Sequence, residues 1–379
     1  MIERVHIKNF KSIYDLDINV GRVNLFIGEN GSGKSNLLEA LIFVSASQSN
    51  KLDNEFLVSR GLRLTEPVLM RSAFDEENSD KSIEISIGRK KELEHYEFKN
   101  ENSEYSKWKN LSSQLLINLI KQLNSEKYEG SKEKLIGELS RLNITDINES
   151  FLYEVPSLYN FKNFIIYSPE NTALRTFEKE GQIQPLGING EGLLKLLKVV
   201  NNYEDKSYIN TIIESLKLFD WFEDIEIPNH LSLGEDKVVI KDKYLYKEID
   251  QRSTNEGFLF ILFYITLIVA KETPKAFAID NIDASLNPKL CTKLMTIICE
   301  LAKKYDKQIF LTTHNPAILD GIDLNDEEQK LFVVSRNKSG HTRMKNITVK
   351  DKPKSSNDEP LKLSEAFLRG YLGGLPKGF

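Results

Sequence analysis

Apolar and polar residues alternate from Arg4 to Ile7, whereas Val23 to Ile27 is nearly continuous apolar sequence running into glycines and then a helical periodicity from Ser35 to Phe43. That order predicts strand, loop, helix. Residues 67–99 break into short alternating stretches, among them Ile83-Glu84-Ile85-Ser86-Ile87 and Tyr96-Glu97-Phe98, and predict an antiparallel meander without crossover helices. Between 104 and 156 the apolar spacing turns helical, as in Leu115-Leu116-Leu119-Ile120-Leu123, and predicts a helical insertion. A buried strand is expected at Phe161 to Tyr167, then a loop to Gly190, helices from Leu193 to Phe222, and alternation from Asn229 to Ile249. From Ser253 onward the pattern predicts helix Phe258 to Lys271, strand Ala276 to Ile279, helix Pro288 to Tyr305 and strand Gln308 to Thr312. This is α/β order and implies a parallel sheet.

The composition, 40% apolar and 28% charged over 379 residues, is that of a folded globular chain. A formal charge of -5 provides no global cationic field, so nucleic-acid contact would need a local basic strip. Cys291 and Cys299 lack metal-ligand spacing and read as buried structural thiols in a reducing cytosol. The longest apolar runs are too short to span a bilayer, and the amino terminus lacks the apolar core of a signal peptide, so a cytoplasmic location is expected.

Gly28-Glu29-Asn30-Gly31-Ser32-Gly33-Lys34-Ser35-Asn36 contains G-x-x-x-x-G-K-S/T between an expected strand and an expected helix. Glycines let successive N–H groups turn toward phosphate oxygens, and the helix presents its positive end to the same anion. Lys34 is then expected at the β and γ phosphates of ATP, with Asn30, Gly31, Ser32, Gly33 and Asn36 completing the cradle. Ser35 is expected to supply a hydroxyl to Mg2+, a hard cation that prefers oxygen. The second magnesium partner is Asp280, which follows the apolar run Ala276-Phe277-Ala278-Ile279.

The continuation, Asp280-Asn281-Ile282-Asp283-Ala284-Ser285-Leu286-Asn287-Pro288, a helix, then Ile309-Phe310-Leu311-Thr312-Thr313-His314, resembles the catalytic half of the ABC/SMC/RecF superfamily. Within that resemblance Asp280 ends the acidic strand, Asp283 lies in the D-loop and His314 matches the switch histidine. Arg252-Ser253-Thr254-Asn255-Glu256-Gly257 stands where such ATPases carry their signature loop. The resemblance implies that Ser253, Glu256 and Gly257 approach the nucleotide held by a second copy. Tyr167-Ser168-Pro169-Glu170-Asn171, Gln184-Pro185-Leu186-Gly187 and Gly373-Gly374-Leu375-Pro376 are similar to SMC-like ATPases of prokaryotic anti-phage systems, such as the Septu ATPase subunit.

Two positions depart from the family. Asn281 occupies the place of the glutamate that polarises the attacking water, which predicts slow hydrolysis and leaves Asp283 as the nearest carboxylate. After the strand ending at Tyr167, where a Q-loop glutamine is expected, stand Ser168, Glu170 and Asn171, with Gln182 and Gln184 further on. The implied fold is an ABC/SMC-type ATPase head, a parallel P-loop lobe beside an antiparallel β lobe. Its head segments are 1–103, 157–190 and 251–379, with a helical insertion at 104–156 and a short insertion at 191–250 in the arm position. The implied function is an ATP-gated homodimeric or higher-order switch controlling an effector protein, a nuclease encoded nearby, without membrane attachment. A RecF-like DNA-repair clamp, with DNA as partner, is the competing reading.

Overall fold

A computed structural model describes residues 1–89, 92–112, 157–177, 181–228, 237–353 and 361–375. Most of the expected insertion at 104–156, residues 113–156, lies outside the described residues. Among the described residues no helix is long and apolar enough to cross a membrane.

A six-stranded sheet has the order β14-β13-β3-β12-β11-β7. Its members are β3 (Val23–Gly28), β7 (Ile166–Tyr167), β11 (Ala276–Ile279), β12 (Gln308–Thr313), β13 (Gln329–Arg336) and β14 (Thr342–Ile347). The first five run parallel, and β14 closes one edge antiparallel to β13. Every residue of β3, β11 and β12 is buried, as a central strand covered on both faces requires. The two-residue side-chain period divides the sheet between two cores. Leu25, Ile279 and Leu311 face one core; Phe26, Ala278 and Phe310 face the other.

The second core is closed by α1 (Lys34–Gln48) and by an antiparallel sheet of order β2-β1-β4-β5-β6. That sheet is built from β1 (Arg4–Phe10), β2 (Ile13–Asn19), β4 (Ile83–Arg89), β5 (Glu92–Lys99) and β6 (Lys109–Asn110). β2 shows the one-sided alternation of a sheet with a wet face. The first core holds α2 (Leu193–Asn201), α3 (Ser207–Leu216), α4 (Glu256–Val269) and α5 (Pro288–Lys304). α4 is buried on all sides from Phe258 to Val269, which makes it the central helix of this lobe.

Several expectations need correction. Residues 67–82 are not strands: Pro67–Met70 is a helical turn and Glu76–Ser79 a 3-10 turn. The buried Arg71 guanidinium organises them, donating to Lys81 O at 2.7 Å, Asn100 O at 2.6 Å and Asn102 Oδ1 at 2.7 Å. The antiparallel sheet continues into β6, past the expected boundary at 103, and Trp108 packs edge-on against Phe43. The strand expected at 161–167 shrinks to Ile166–Tyr167, because Ser45 Oγ and the Gln48 side chain take the backbone groups of Lys162, Phe164 and Phe161. The helix expected up to Phe222 ends at Leu216. β8 (Phe222–Glu226) then pairs with β9 (Val239–Asp242), which pairs with β10 (Ile249–Asp250), so a small sheet occupies the arm position. Cys299 is half-buried, in contrast to the fully buried Cys291.

Candidate functional site

The site lies where β3, β12 and β11 end side by side, because sheet order places three separate loops at one C-terminal edge. Gly28 ends β3, His314 follows β12 and Asp280 follows β11.

Gly31 and Gly33 turn the loop at φ +74° and +104°, a region in which a side chain is strained. A methyl at Gly33 would sit 2.1 Å from Thr342 Oγ1 and 2.7 Å from Ser12 Oγ. Those hydroxyls hold the loop from outside. Thr342 Oγ1 lies 2.9 Å from Ser32 O and 2.7 Å from Ser12 Oγ, Asn36 Nδ2 donates to Ser12 Oγ at 2.6 Å, and Arg336 Nε donates to Gly31 O at 2.8 Å. Ser12, Arg336 and Thr342 were not singled out in the sequence, since Ser12 lies in the turn between β1 and β2 and Arg336 and Thr342 lie at strand ends, all remote from any motif. Asn30 is exposed on the loop's rim.

Lys34 is buried, and its ammonium donates to the carbonyls of Gly28 at 2.9 Å and Glu29 at 3.0 Å. Burial pushes its pKa down to about 8, against the attraction of Asp280, Asp283 and Glu29. Ser32 Oγ is buried without a hydrogen-bond partner. An idle hydroxyl, a cation at the start of a helix and a glycine at 33 with no room for a side chain together fit a bound phosphate chain.

Ser35 Oγ lies 3.1 Å from both carboxylate oxygens of Asp280, and Thr312 Oγ1 donates to Oδ1 of the same group. Thr312 Oγ1 also accepts from Asn281 N at 2.9 Å. This hydroxyl-carboxylate pair is the oxygen donor set that a magnesium ion takes. Asp283 accepts from Thr313 Oγ1 at 2.6 Å and from His314 N at 3.2 Å, so the D-loop carboxylate is tied to the strand end that carries the histidine. Desolvation against the loop, then the charge of Lys34, lowers the His314 pKa and favours a neutral imidazole. Asn281 is exposed at φ 56°.

The 252–257 loop is held within its own subunit. Asp250 Oδ1 accepts from Arg252 N, Ser253 N and Ser253 Oγ at 3.0, 3.1 and 3.2 Å. Asn255 caps α4 by accepting from Phe258 N at 2.8 Å. Ser285 of the D-loop donates to Glu256, and a methyl at Gly257 would stand 3.1 Å from Ser285 O. Glu256 and Gly257 therefore contact the D-loop of the same chain. Gln182 donates to Glu191 O at 3.3 Å. Ser168 directly follows Tyr167, whose carbonyl accepts from Asp280 N at 2.9 Å.

The sequence profile of a family described as "AAA domain, putative AbiEii toxin, Type IV TA system" matches residues 23–320. Among curated proteins, the chain is 28% identical over 137 residues to the DNA replication and repair protein RecF of Bacteroides thetaiotaomicron, covering 35% of this chain and 36% of that protein. The chain thus spans about a third of the length of that relative. RecF of Clostridium botulinum is 24% identical over 284 residues, 68% of this chain and 70% of its own. A crystal structure of an SMC head bound to the C-winged helix domain of ScpA superposes with a TM-score of 0.52 at 15% identity, over 92% of this chain and 98% of that one. The fold is that of an SMC-type head.

Proposed function

The chain belongs to this family of AAA domains, and from that premise we propose that it is an ATP-dependent switch in which two heads close around two nucleotides. The cluster Lys34, Ser35, Asp280 and Thr312 at one sheet edge carries the reading. Asn30 to Asn36 wrap the phosphates, Lys34 offsets β and γ charge, and Ser35 with Asp280 would hold Mg2+, which supplies charge neutralisation at the γ phosphate. Ser253, Glu256 and Gly257 lie on the loop offered to the nucleotide of the second head. Neutral His314 is suited to accept a hydrogen bond from the attacking water or to contact the γ phosphate. Hydrolysis is slow, because Asn281 cannot accept a proton and Asp283 is already engaged by Thr313.

Head closure is read by an effector, a nuclease supplied in trans in anti-phage defence. The test is scattering mass with and without a non-hydrolysable ATP analogue. A mass that stays monomeric at all protein concentrations excludes the switch. The RecF relatives favour a second reading, an ATP-closed clamp on DNA. DNA affinity that appears only with ATP and falls steeply with salt selects the clamp.

A further inference from the structure

Arg175 closes a short turn, Asn171–Leu174, in the segment that leaves β7. Its Nε donates to Asn171 Oδ1 at 2.8 Å. Nη1 donates to Gln251 O at 2.8 Å and Arg252 O at 2.7 Å, and Nη2 to Thr254 O at 2.9 Å. Three carbonyls of the loop ahead of α4 thus converge on one guanidinium. Asp250 gathers N–H groups of Arg252 and Ser253 in the same loop. The loop is pinned between a base that takes its carbonyls and an acid that takes its amides. A planar fork with five fixed donors suits this task, and a lysine ammonium does not.

The other end of the segment starts at the nucleotide site. Asp280 N donates to Tyr167 O, Ser168 N donates to Ile188 O at 2.8 Å and Glu170 N donates to Asn189 O at 2.8 Å. Residues 168–175 therefore run from beside the candidate magnesium ligand to the 251–254 carbonyls. We infer that Arg175 is a positioning residue that sets the 252–257 loop and makes its placement depend on nucleotide bound in the same head. The inference rests on the proposed role of that loop across the dimer. Without Arg175 a head holds ATP but presents a loosened loop to its partner.

The experiment compares wild type with Arg175→Ala, Arg175→Lys and Asn171→Ala, using magnesium and a non-hydrolysable ATP analogue. Calorimetry gives analogue affinity, scattering across protein concentrations gives pairing, and amide exchange follows residues 251–257. In wild type, analogue binding is expected to change exchange at 251–257. Arg175→Ala should bind the analogue within about twofold of wild type, because no bond of Arg175 reaches the P-loop, yet require at least roughly tenfold more protein to pair. Its 251–257 amides should exchange faster and no longer respond to the analogue. Arg175→Lys should recover part of the pairing, and Asn171→Ala, which removes only the Nε anchor, should shift both readouts less in the same direction. Unchanged pairing and an intact exchange response in Arg175→Ala overturn the inference. If that variant does not fold, wild-type values in Asn171→Ala and Arg175→Lys overturn it instead. A wild type that never pairs refutes the dimeric switch, while the exchange response of 251–257 still decides the coupling within one head.

Discussion

Replacing Lys34 by Met separates the cost of a buried cation from its use. The ammonium sits at a pKa of about 8 in the folded chain against 10.5 in the open one. At about 1.4 kcal/mol per tenfold, that difference costs about 3 kcal/mol of folding free energy at neutral pH. The sign follows from proton counts: between pH 8 and 10.5 the unfolded chain binds more protons, so the penalty is complete below 8 and fades as pH rises to 10.5. Met keeps the stem and removes the charge, leaving the carbonyls of Gly28 and Glu29 without their donor at about 1 kcal/mol each. The nucleotide-free variant should be about 1 kcal/mol more stable than wild type at pH 7, and the advantage should vanish by pH 10. Binding moves the other way. Charge-assisted bonds to two phosphates contribute about 1.5–3 kcal/mol each, so ATP affinity should fall on the order of 100-fold or more. Urea titrations at pH 7 and 10, followed by Trp108 and Trp221 fluorescence, and calorimetry with ATP make the comparison. A variant destabilised by more than about 2 kcal/mol at pH 7, or one binding ATP as wild type does, refutes the reasoning.

In wild type, affinity for the ATP analogue should weaken as pH rises past 8, with proton uptake on binding, because only the charged form of Lys34 serves the phosphates; a flat calorimetric profile from pH 7 to 9.5 would contradict this. Asp283→Asn should slow phosphate release by at least roughly tenfold with analogue binding unchanged, and an unaltered rate places the base elsewhere. Asn281→Glu should raise turnover by at least roughly tenfold by restoring an acceptor at the base position, despite about 1 kcal/mol of strain at its left-handed backbone. Turnover equal to wild type in that variant means that water activation does not depend on this position.

The legible parts of the site were those that local sequence determines. Gly28 to Ser35 is one turn between a strand and a helix, Asp280 directly follows the apolar strand Ala276–Ile279, and His314 follows a buried strand built on Ile309-Phe310-Leu311, so motif and element locate them together. The illegible parts come from contacts across the chain. Ser12 meets Thr342 330 residues away, and Thr342 reaches Ser32 310 residues back. Nothing in the alternation of β14 distinguishes Thr342 from any strand threonine. Arg175 escaped notice similarly, since its partners are backbone carbonyls, which have no sequence signature. The shortened strand at 161–167 shows side chains overriding local preference: Ser45 and Gln48 of α1 take backbone groups that a longer strand would pair in the ladder.

The parallel sheet also divides the candidate machinery between two cores. Lys34 and Ser35 open α1, which packs in the core shared with the antiparallel sheet, while the 252–257 loop opens α4, the centre of the opposite core. Close-packed cores resist deformation, so each loop is expected to move with its own lobe. A chain of polar contacts runs along the sheet edge from the α1 half into the α4 half: Ser35 with Asp280, Asp280 with Tyr167, and then, within the α4 half, Arg175 with the 251–254 carbonyls and Glu256 with Ser285. On the coupling inferred for Arg175, a ligand that inserts oxygens between Ser35 and Asp280 lengthens the first of these contacts and passes the displacement to Tyr167 and along 168–175. Because hydrogen bonds are short-ranged and directional, a shift of a few tenths of an ångström there changes which of the Arg175 bonds survive. That gives nucleotide occupancy a physical route to the face offered to a second head, without requiring either core to repack.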